Sequence, residues 1–374
     1  MLSRRTLLKA GAFALAYPGP ALASAHWRTV PVYGHLGKRT DFTAEDISFL
    51  VRRYSVITIE KTQGASVRQA AEQASARALN QLKQREPAPK VYYYWNSAVA
   101  YPEHYAALAD LPPAWTLKQT DGQPWQPIAN NADALAYDLS RKDVRDWWVE
   151  QAVTQVKRGY DGIFVDGVKR FAMGTTRLAK IVGAEKQQAV TAGIGKLVPA
   201  LRAALPAGKV LLCNGVEHQP NAWPDSGKSF LTHADATMLE HFGITGPKPN
   251  TAAEMAAQLD LLSTVDSQYG KFIAFCGWPD SGRSAPLPLQ AGITFPLACF
   301  LVAAGAHSYF RYGSGWRAED GPLEPFPELE RPLGPPQGPA VRDGYTYTRT
   351  FEHAHVTVDL AAVTGRIAWT QPPR

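Results

Sequence analysis

Tyr160-Asp161-Gly162-Ile163-Phe164-Val165-Asp166-Gly167-Val168 is the stretch from which the rest of the chain is read. Its centre, 162–165, is a run of glycine, β-branched and aromatic residues, too short for a helix and suited to a buried strand. The run stops on a carboxylate followed by a glycine. Seven further β-rich apolar runs lie at 30–33, 56–59, 91–94, 210–213, 237–239, 272–275 and 307–310. Segments with apolar residues at helical spacing separate them, at 65–84, 145–158, 187–204, 252–269 and 289–304. In the third of these, Ile194, Leu197, Val198 and Leu201 share one face. Alternation of strand and helix specifies a parallel sheet, and eight strands are the number that closes one on itself with no edge left unpaired. The sequence therefore predicts a (β/α)8 barrel over 26–325. The alternative, a doubly wound open sheet, calls for a glycine-rich phosphate turn after its first strand, and Tyr33-Gly34-His35-Leu36-Gly37 is not one.

Both flanks of the barrel have their own signatures. Ser3-Arg4-Arg5-Thr6-Leu7-Leu8-Lys9 precedes a weakly apolar run to Tyr17 and the small-residue patterns Ala21-Leu22-Ala23 and Ala23-Ser24-Ala25. This order of charge, apolar run and small residues resembles a twin-arginine export signal cleaved near Ala23 or Ala25. It assigns 1–25 to targeting, with the twin-arginine export machinery as a partner and a periplasmic or secreted location for the mature protein. No later stretch reaches the roughly 18 apolar residues needed to span a bilayer, so no membrane span is expected in the mature chain. Behind the barrel, proline and glycine crowd 321–339, and Tyr345-Thr346-Tyr347-Thr348-Arg349-Thr350-Phe351 then alternates with period two. Val356-Thr357-Val358 and Ile367-Ala368-Trp369 follow. Residues 326–374 thus read as a linker and a small antiparallel β appendage, too short to be stable alone and expected to pack on the barrel.

Composition narrows the function classes. The 374 residues carry 39 Lys and Arg against 33 Asp and Glu, a formal charge of +6. Three of the basic residues, Arg4, Arg5 and Lys9, fall in the export segment, leaving 36 against 33, or +3. So mild and dispersed a balance argues against nucleic-acid binding. Cys213, Cys276 and Cys299 lie in apolar runs, and their odd number points to buried thiols rather than a disulfide framework, although one bridge fits the count. Ten Trp and 15 Tyr exceed what a core needs, and such rings commonly line sites that stack on flat apolar faces, sugar rings included. The connection 95–161 holds Tyr101, Tyr105, Trp115, Trp125, Trp147 and Trp148, and its length is that of a lid or binding element. Trp147 and Trp148 sit on its helical pattern and are expected in the core.

In a parallel barrel the working residues occupy the C-terminal ends of the strands, where the βα loops build one shared concave face. Those ends read His35, Glu60, Trp95 with Asn96, Asp166, Asn214, Glu240 with His241, Trp278 and Arg311. Barrel packing has no use for acidic side chains, and an unpaired buried carboxylate is costly. Asp166 and Glu240 are therefore the candidate catalytic pair, with ion pairing to Lys169 or Arg311 as the structural alternative. Glu60, followed by Lys61, is either a substrate hydrogen-bonding group or a second acid. Lys169 and Arg170 read as simple surface charges.

The 160–168 stretch resembles the fourth-strand motif of several glycoside hydrolase barrels, in which the terminal Asp is a catalytic carboxylate. Tyr137-Asp138-Leu139-Ser140 with Val144-Arg145-Asp146-Trp147-Trp148, Trp115-Thr116-Leu117-Lys118 before Asp121-Gly122, and Arg349-Thr350-Phe351-Glu352 extend the likeness over most of the mature chain. Together they are similar to hypothetical glycosyl hydrolase family 15, distant cousins of the endo-α-1,4-polygalactosaminidase and α-galactosidase TIM barrels. The sequence departs from the family pattern at His353-Ala354, where a glycine turn is expected, and Met238-Leu239-Glu240-His241-Phe242 matches the sixth strand weakly.

The resemblance implies a hydrolase acting on a poly- or oligosaccharide, with two carboxyl groups flanking the glycosidic bond; no cofactor or metal motif is read in the sequence, and none is expected. It makes Asp166 the nucleophile and Glu240 the acid, a pairing similar to that of retaining α-glycosidases. Tyr33, Trp95 and Trp278 are then stacking platforms, and His35, Asn96, Asn214 and Arg311 bind hydroxyl groups. A sugar-binding barrel without catalysis is the main alternative, since fold does not fix function. A metal-dependent deacetylase would need clustered ligands, and the nine His include no H-x-x-x-H pair. No G-x-S-x-G elbow for serine chemistry is present either.

Overall fold

The computed structural model describes residues 27–370 apart from 220, 222 and 247. The export segment 1–25 lies outside the described residues. Eight parallel strands form the barrel: β1 Tyr33–Leu36, β2 Val56–Ile59, β3 Lys90–Asn96, β4 Gly162–Asp166, β5 Val210–Val216, β6 Ala236–Leu239, β7 Phe272–Gly277 and β8 Ser308–Tyr312. Each pairs with the next in chain order. The seam between β8 and β1 is narrow, a single parallel bridge from Val32 to Phe310 with the Phe310 N–H donating to Pro31 O at 2.8 Å. That seam explains why β1 starts three residues later than the sequence suggests. Pro31 has no N–H for a ladder, so the 30–32 run contributes a carbonyl to closure and the strand proper begins at Tyr33.

Helices fill the intervals. Ala252–Tyr269 has the bounds expected of it because both ends are signalled: Thr251 and Glu254 form a capping box, and Gly270 ends the helix in the left-handed conformation. Lys142–Val156 and Ala184–Ala204 fall close to their expected spans. The 65–84 segment is helical only over Ala71–Lys83, and 289–304 divides into Leu289–Gly292 and Thr294–Ala303. The helix Ala44–Arg53, capped by Thr43 and Asp46, and the short helices Val168–Ala172 and Thr176–Val182 were not anticipated from apolar spacing.

Side chains of each strand alternate between the barrel interior and the helix layer. Val56, Tyr92, Phe164, Leu212, Met238 and Phe272 are among those that pack the interior, while their strand neighbours Ile57, Val91, Ile163, Leu211 and others meet the helices. Full burial of an apolar side chain contributes about 1.5–3 kcal/mol, so these two shells hold the sheet from both faces. Cys213, Cys276 and Cys299 are buried free thiols.

The C-terminal sheet is antiparallel, in the order β9 Val341–Asp343, β10 Thr346–Thr350, β11 Ala354–Asp359 and β12 Thr364–Trp369. On β11, buried Ala354, Val356 and Val358 alternate with more exposed neighbours. Their face joins one apolar cluster with Phe295, Ala298 and Val302 of the helix Thr294–Ala303, and Gly365 sits where a Cβ would lie 2.9 Å from the Ala298 Cβ. The appendage is thus continuous with the barrel's outer core. Among the described residues, no helix is long and apolar enough to cross a membrane.

Candidate active site

Continuing the inward alternation one step beyond the apolar interior gives one polar or aromatic residue per strand at the C-terminal mouth. They are His35 on β1, Glu60 after β2, Asn96 on β3, Asp166 on β4, Asn214 on β5, Glu240 after β6, Trp278 after β7 and Arg311 on β8. A cleft of about 430 Å³ opens above part of this ring, lined by Asn96, Asp166, Asn214 and Glu240 from the ring, and by Tyr101, Lys169, Arg170 and His241 from the loops.

Asp166 receives four hydrogen bonds. Its Oδ2 accepts from the Tyr94 hydroxyl at 2.5 Å and Asn96 Nδ2 at 2.9 Å, and its Oδ1 from the Gly167 N–H at 2.7 Å and Asn214 Nδ2 at 2.9 Å. Burial pushes the Tyr94 phenol well above its ordinary range, and the Asp166 charge adds to the shift, so Tyr94 stays a donor. The Asn96 amide has a fixed sense, because its Oδ1 accepts from the backbone N–H groups of Ala98 and Val99 at 2.9 and 2.7 Å. Gly167 is required at its position. Its φ is +78°, and a Cβ there would lie 2.6 Å from Asn96 Oδ1. Every neighbour bonded to Asp166 is a donor, the arrangement that suits an ionised carboxylate.

Asn214 joins the two acids. Its Nδ2 donates to Asp166 Oδ1 at 2.9 Å and to Glu240 Oε2 at 2.7 Å. The sum of these lengths, 5.6 Å, is the greatest separation those two oxygens can have. The Glu240 backbone is held by the Trp278 indole, whose Nε1 donates to Glu240 O at 2.7 Å. Neither acid pairs with Lys169 or Arg311: Lys169 bonds to Glu217, and Arg311 has no carboxylate at ion-pair distance among the described residues.

Other sequence candidates have different fates. Glu60 is buried, and its carboxylate is occupied by Lys61 Nζ at 2.5 Å and the Thr62 N–H at 3.0 Å. Lys61 in turn lies 4.8 Å from the centre of the Tyr94 ring. Burial works against its charge, but Glu60, Tyr101 and Asp166 outweigh it and raise its pKa. Tyr33 and Trp95 do not reach the cleft. Tyr33 sits one layer below the ring, bonded to Thr58 Oγ1 at 2.5 Å. Trp95 points to the helix layer between Asn96 and Tyr94, packed against Tyr105 at 4.8 Å and Trp148 at 6.4 Å. Depth excludes Tyr33, which shares the inward phase of His35, and strand parity excludes Trp95, since an end residue faces the mouth only when it is in phase with the interior set.

Four residues in or beside the cleft were not assigned to it from sequence. Lys169 and Arg170 line the cleft rather than serving as plain surface charges. Glu217 follows β5, buried and bonded to Lys169 and to Gln219 Nε2 at 2.6 Å. Its signal was hidden because β5 runs to Val216, past an irregularity in its pairing between Cys213 and Val216. Tyr101 comes from the long β3–β4 connection, and burial pushes its phenol up to about 12. Among the described residues, no group of three or more His, Cys, Asp or Glu is placed to hold a metal ion.

The sequence model of the family described as hypothetical glycosyl hydrolase family 15 matches residues 83–355. The chain belongs to this family. It is a glycoside hydrolase, acting on a carbohydrate. No curated protein matches it. Among solved structures it is similar to the glycoside hydrolase domain of PelA from Pseudomonas aeruginosa, at 15% identity and TM-score 0.47, covering 75% of this chain and 93% of that one. It is also similar to the α-galactosidase TtGalA from Thermus thermophilus, at 16% identity and TM-score 0.48 over 90% and 67% of the two chains. For Ega3 from Aspergillus fumigatus, solved with galactosamine, the values are 12%, 0.47, 79% and 96%. Within this glycoside hydrolase, then, the barrel mouth holds two carboxyl groups joined through one amide.

Proposed function

We propose that the protein cleaves glycosidic bonds in a poly- or oligosaccharide by a two-carboxylate mechanism that retains anomeric configuration. Asp166 attacks the anomeric carbon as the bond to the leaving oxygen breaks, and Glu240 delivers its proton to that oxygen. Water then attacks the same carbon, Glu240 takes one of its protons, and the bond to Asp166 breaks to release the sugar. The observation that carries this reading is the Asn214 amide bridging both acids. A shared donor keeps Asp166 Oδ1 and Glu240 Oε2 no more than 5.6 Å apart, in keeping with the roughly 5–5.5 Å of retaining enzymes rather than the roughly 6.5–9.5 Å that leave room for an attacking water. Tyr94 and Asn96 orient the nucleophile, and His241, with Nδ1 3.8 Å from Glu240 Oε2, stands beside the acid.

The protein acts outside the cytoplasm, in the periplasm or medium, after export by the twin-arginine machinery. Arg4 and Arg5 carry that part of the reading. Replacing both by Lys should hold the protein in the cytoplasmic fraction, and unchanged export of that variant would overturn it.

The test of the activity is hydrolysis of a panel of bacterial and plant polysaccharides by the mature protein beside Asp166→Asn and Glu240→Gln, each checked for unchanged thermal stability. Turnover that collapses in both folded variants supports the mechanism. Binding without turnover in all three proteins would replace it with a carbohydrate-binding barrel that has lost catalysis.

A further inference from the structure

Arg311 and His35 are adjacent members of the mouth ring and both are 2% exposed. Arg311 lies against two indoles, its Cζ 4.2 Å from the Trp316 ring centre and 5.0 Å from that of Trp278. One of its terminal nitrogens donates to Gly315 O, but Nε and Nη1 have no hydrogen-bond partner. His35 Nε2 has none either, and its ring packs at 4.5 Å edge-on against Phe164 and at 4.5 Å tilted against Trp316. Three unsatisfied nitrogens in one place, one group of them on an unpaired guanidinium, are costly for folding alone and call for a ligand. Burial lowers the pKa of His35 well below its ordinary value, with Arg311 and Lys61 adding to the effect. The imidazole is thus neutral, and Arg311 is the cation of this arc.

We propose that Arg311 and His35 form the floor of a subsite for the carboxylate of an acidic sugar, with Trp316 covering it until substrate arrives. A sugar hydroxyl would satisfy a nitrogen but leave the guanidinium charge uncompensated, whereas a carboxylate supplies both acceptors and charge. The Trp278 and Trp316 ring centres are 5.3 Å apart with their planes at 85°, so the two indoles crowd one side of the guanidinium. The Trp316 backbone is pinned, since its carbonyl accepts from the Gly37 N–H at 3.0 Å and the Ala318 N–H donates to Gly37 O at 2.8 Å. The movable part is therefore the indole, which turns aside as the carboxylate enters. This rests on the glycosidase reading and names its substrate class: glycans containing uronic acid residues.

The experiment is calorimetric titration of Asp166→Asn with uronic-acid oligosaccharides and with the same oligosaccharides after reduction of each carboxyl to a primary alcohol. Binding without turnover is read, so the outcome does not depend on the catalytic assignment. The acidic form should bind about tenfold tighter or more, the range of a hydrogen bond to a charged group, and a second replacement, Arg311→Met, should bring the ratio near one. Tryptophan fluorescence should change on binding the acidic form and not when Trp316→Phe is added. Equal affinity for both forms, no measurable binding of the acidic one, or a ratio that survives Arg311→Met would each overturn the proposal. Hydrolysis of a neutral glycan alongside any of these results would leave the glycosidase reading intact.

Discussion

The mouth ring has two arcs of opposite character. From β3 to β6, Asn96, Asp166, Asn214 and Glu240 form a connected set in which each amide has its sense fixed or its donor shared between acids. From β8 to β1, Arg311 and His35 are equally part of the ring yet keep three buried nitrogens without partners. Both arcs stand on the same apolar interior layer, so packing alone does not produce the difference. A satisfied polar network is rigid and preorganised, which suits groups that must meet a transition state. An unsatisfied one holds binding capacity in reserve, which suits groups that must meet a substrate.

The contrast can be broken at several points. Asp166→Asn removes the proposed nucleophile while keeping its shape, and the loss in kcat should exceed the roughly 10⁴-fold upper range of acid–base catalysis in a variant that still folds. Glu240→Gln should cost about 10²–10⁴-fold, less for substrates whose leaving group needs no proton, as comparison of a natural glycan with an aryl glycoside would measure. Asn214→Ala frees both acids from their common donor and should lower kcat about 10–100-fold, with the pH profile of kcat shifting as well. On the other arc, Arg311→Met should leave Tm unchanged or raise it, because removing an unpaired buried charge relieves more than it loses. Calorimetry reads this directly, and a Tm drop as large as a core truncation would mean the arc is structural.

His35 sets a pH expectation for the same arc. Its folded pKa lies below its unfolded value, so the unfolded chain binds the proton first and stability falls as pH drops below about 6.5. The fall continues until the pH reaches the depressed folded pKa. His35→Gln should flatten that part of the stability curve. The smallest effect on kcat/KM belongs to Trp95→Leu, a residue between two mouth-facing neighbours but turned to the helices. It should cost stability through the cavity it leaves, on the order of 2–5 kcal/mol, with kcat/KM unchanged.

All eight ring members were legible as strand ends, because a polar or large aromatic residue terminating an apolar run has few structural uses. Tyr33 and Trp95 were misplaced for different reasons: Tyr33 has the inward parity but lies one layer too deep, because β1 runs on to Leu36, whereas Trp95 is one residue out of phase, and a shift of one inverts facing. Asn96, next to Trp95, was in phase. Glu217 escaped because the end of β5 lies three residues past Cys213, where Val216 resumes pairing. The Lys169–Glu217 pair could not have been read at all, since it joins residues 48 positions apart through loops whose course no local pattern encodes. Three of the four appendage strands, by contrast, were placed from their alternation, while β9 Val341–Asp343, exposed throughout, was not.

The central claim is that Asp166 becomes covalently glycosylated. The most direct measurement is mass spectrometry of the protein treated with a fluorinated glycosyl fluoride of the sugar it releases, a reagent that forms the intermediate faster than it is hydrolysed. A single adduct on the peptide carrying Asp166, absent in Asp166→Asn, is the result predicted. An adduct on Glu240 or Glu217, or rapid turnover with inverted configuration and no adduct, would contradict it.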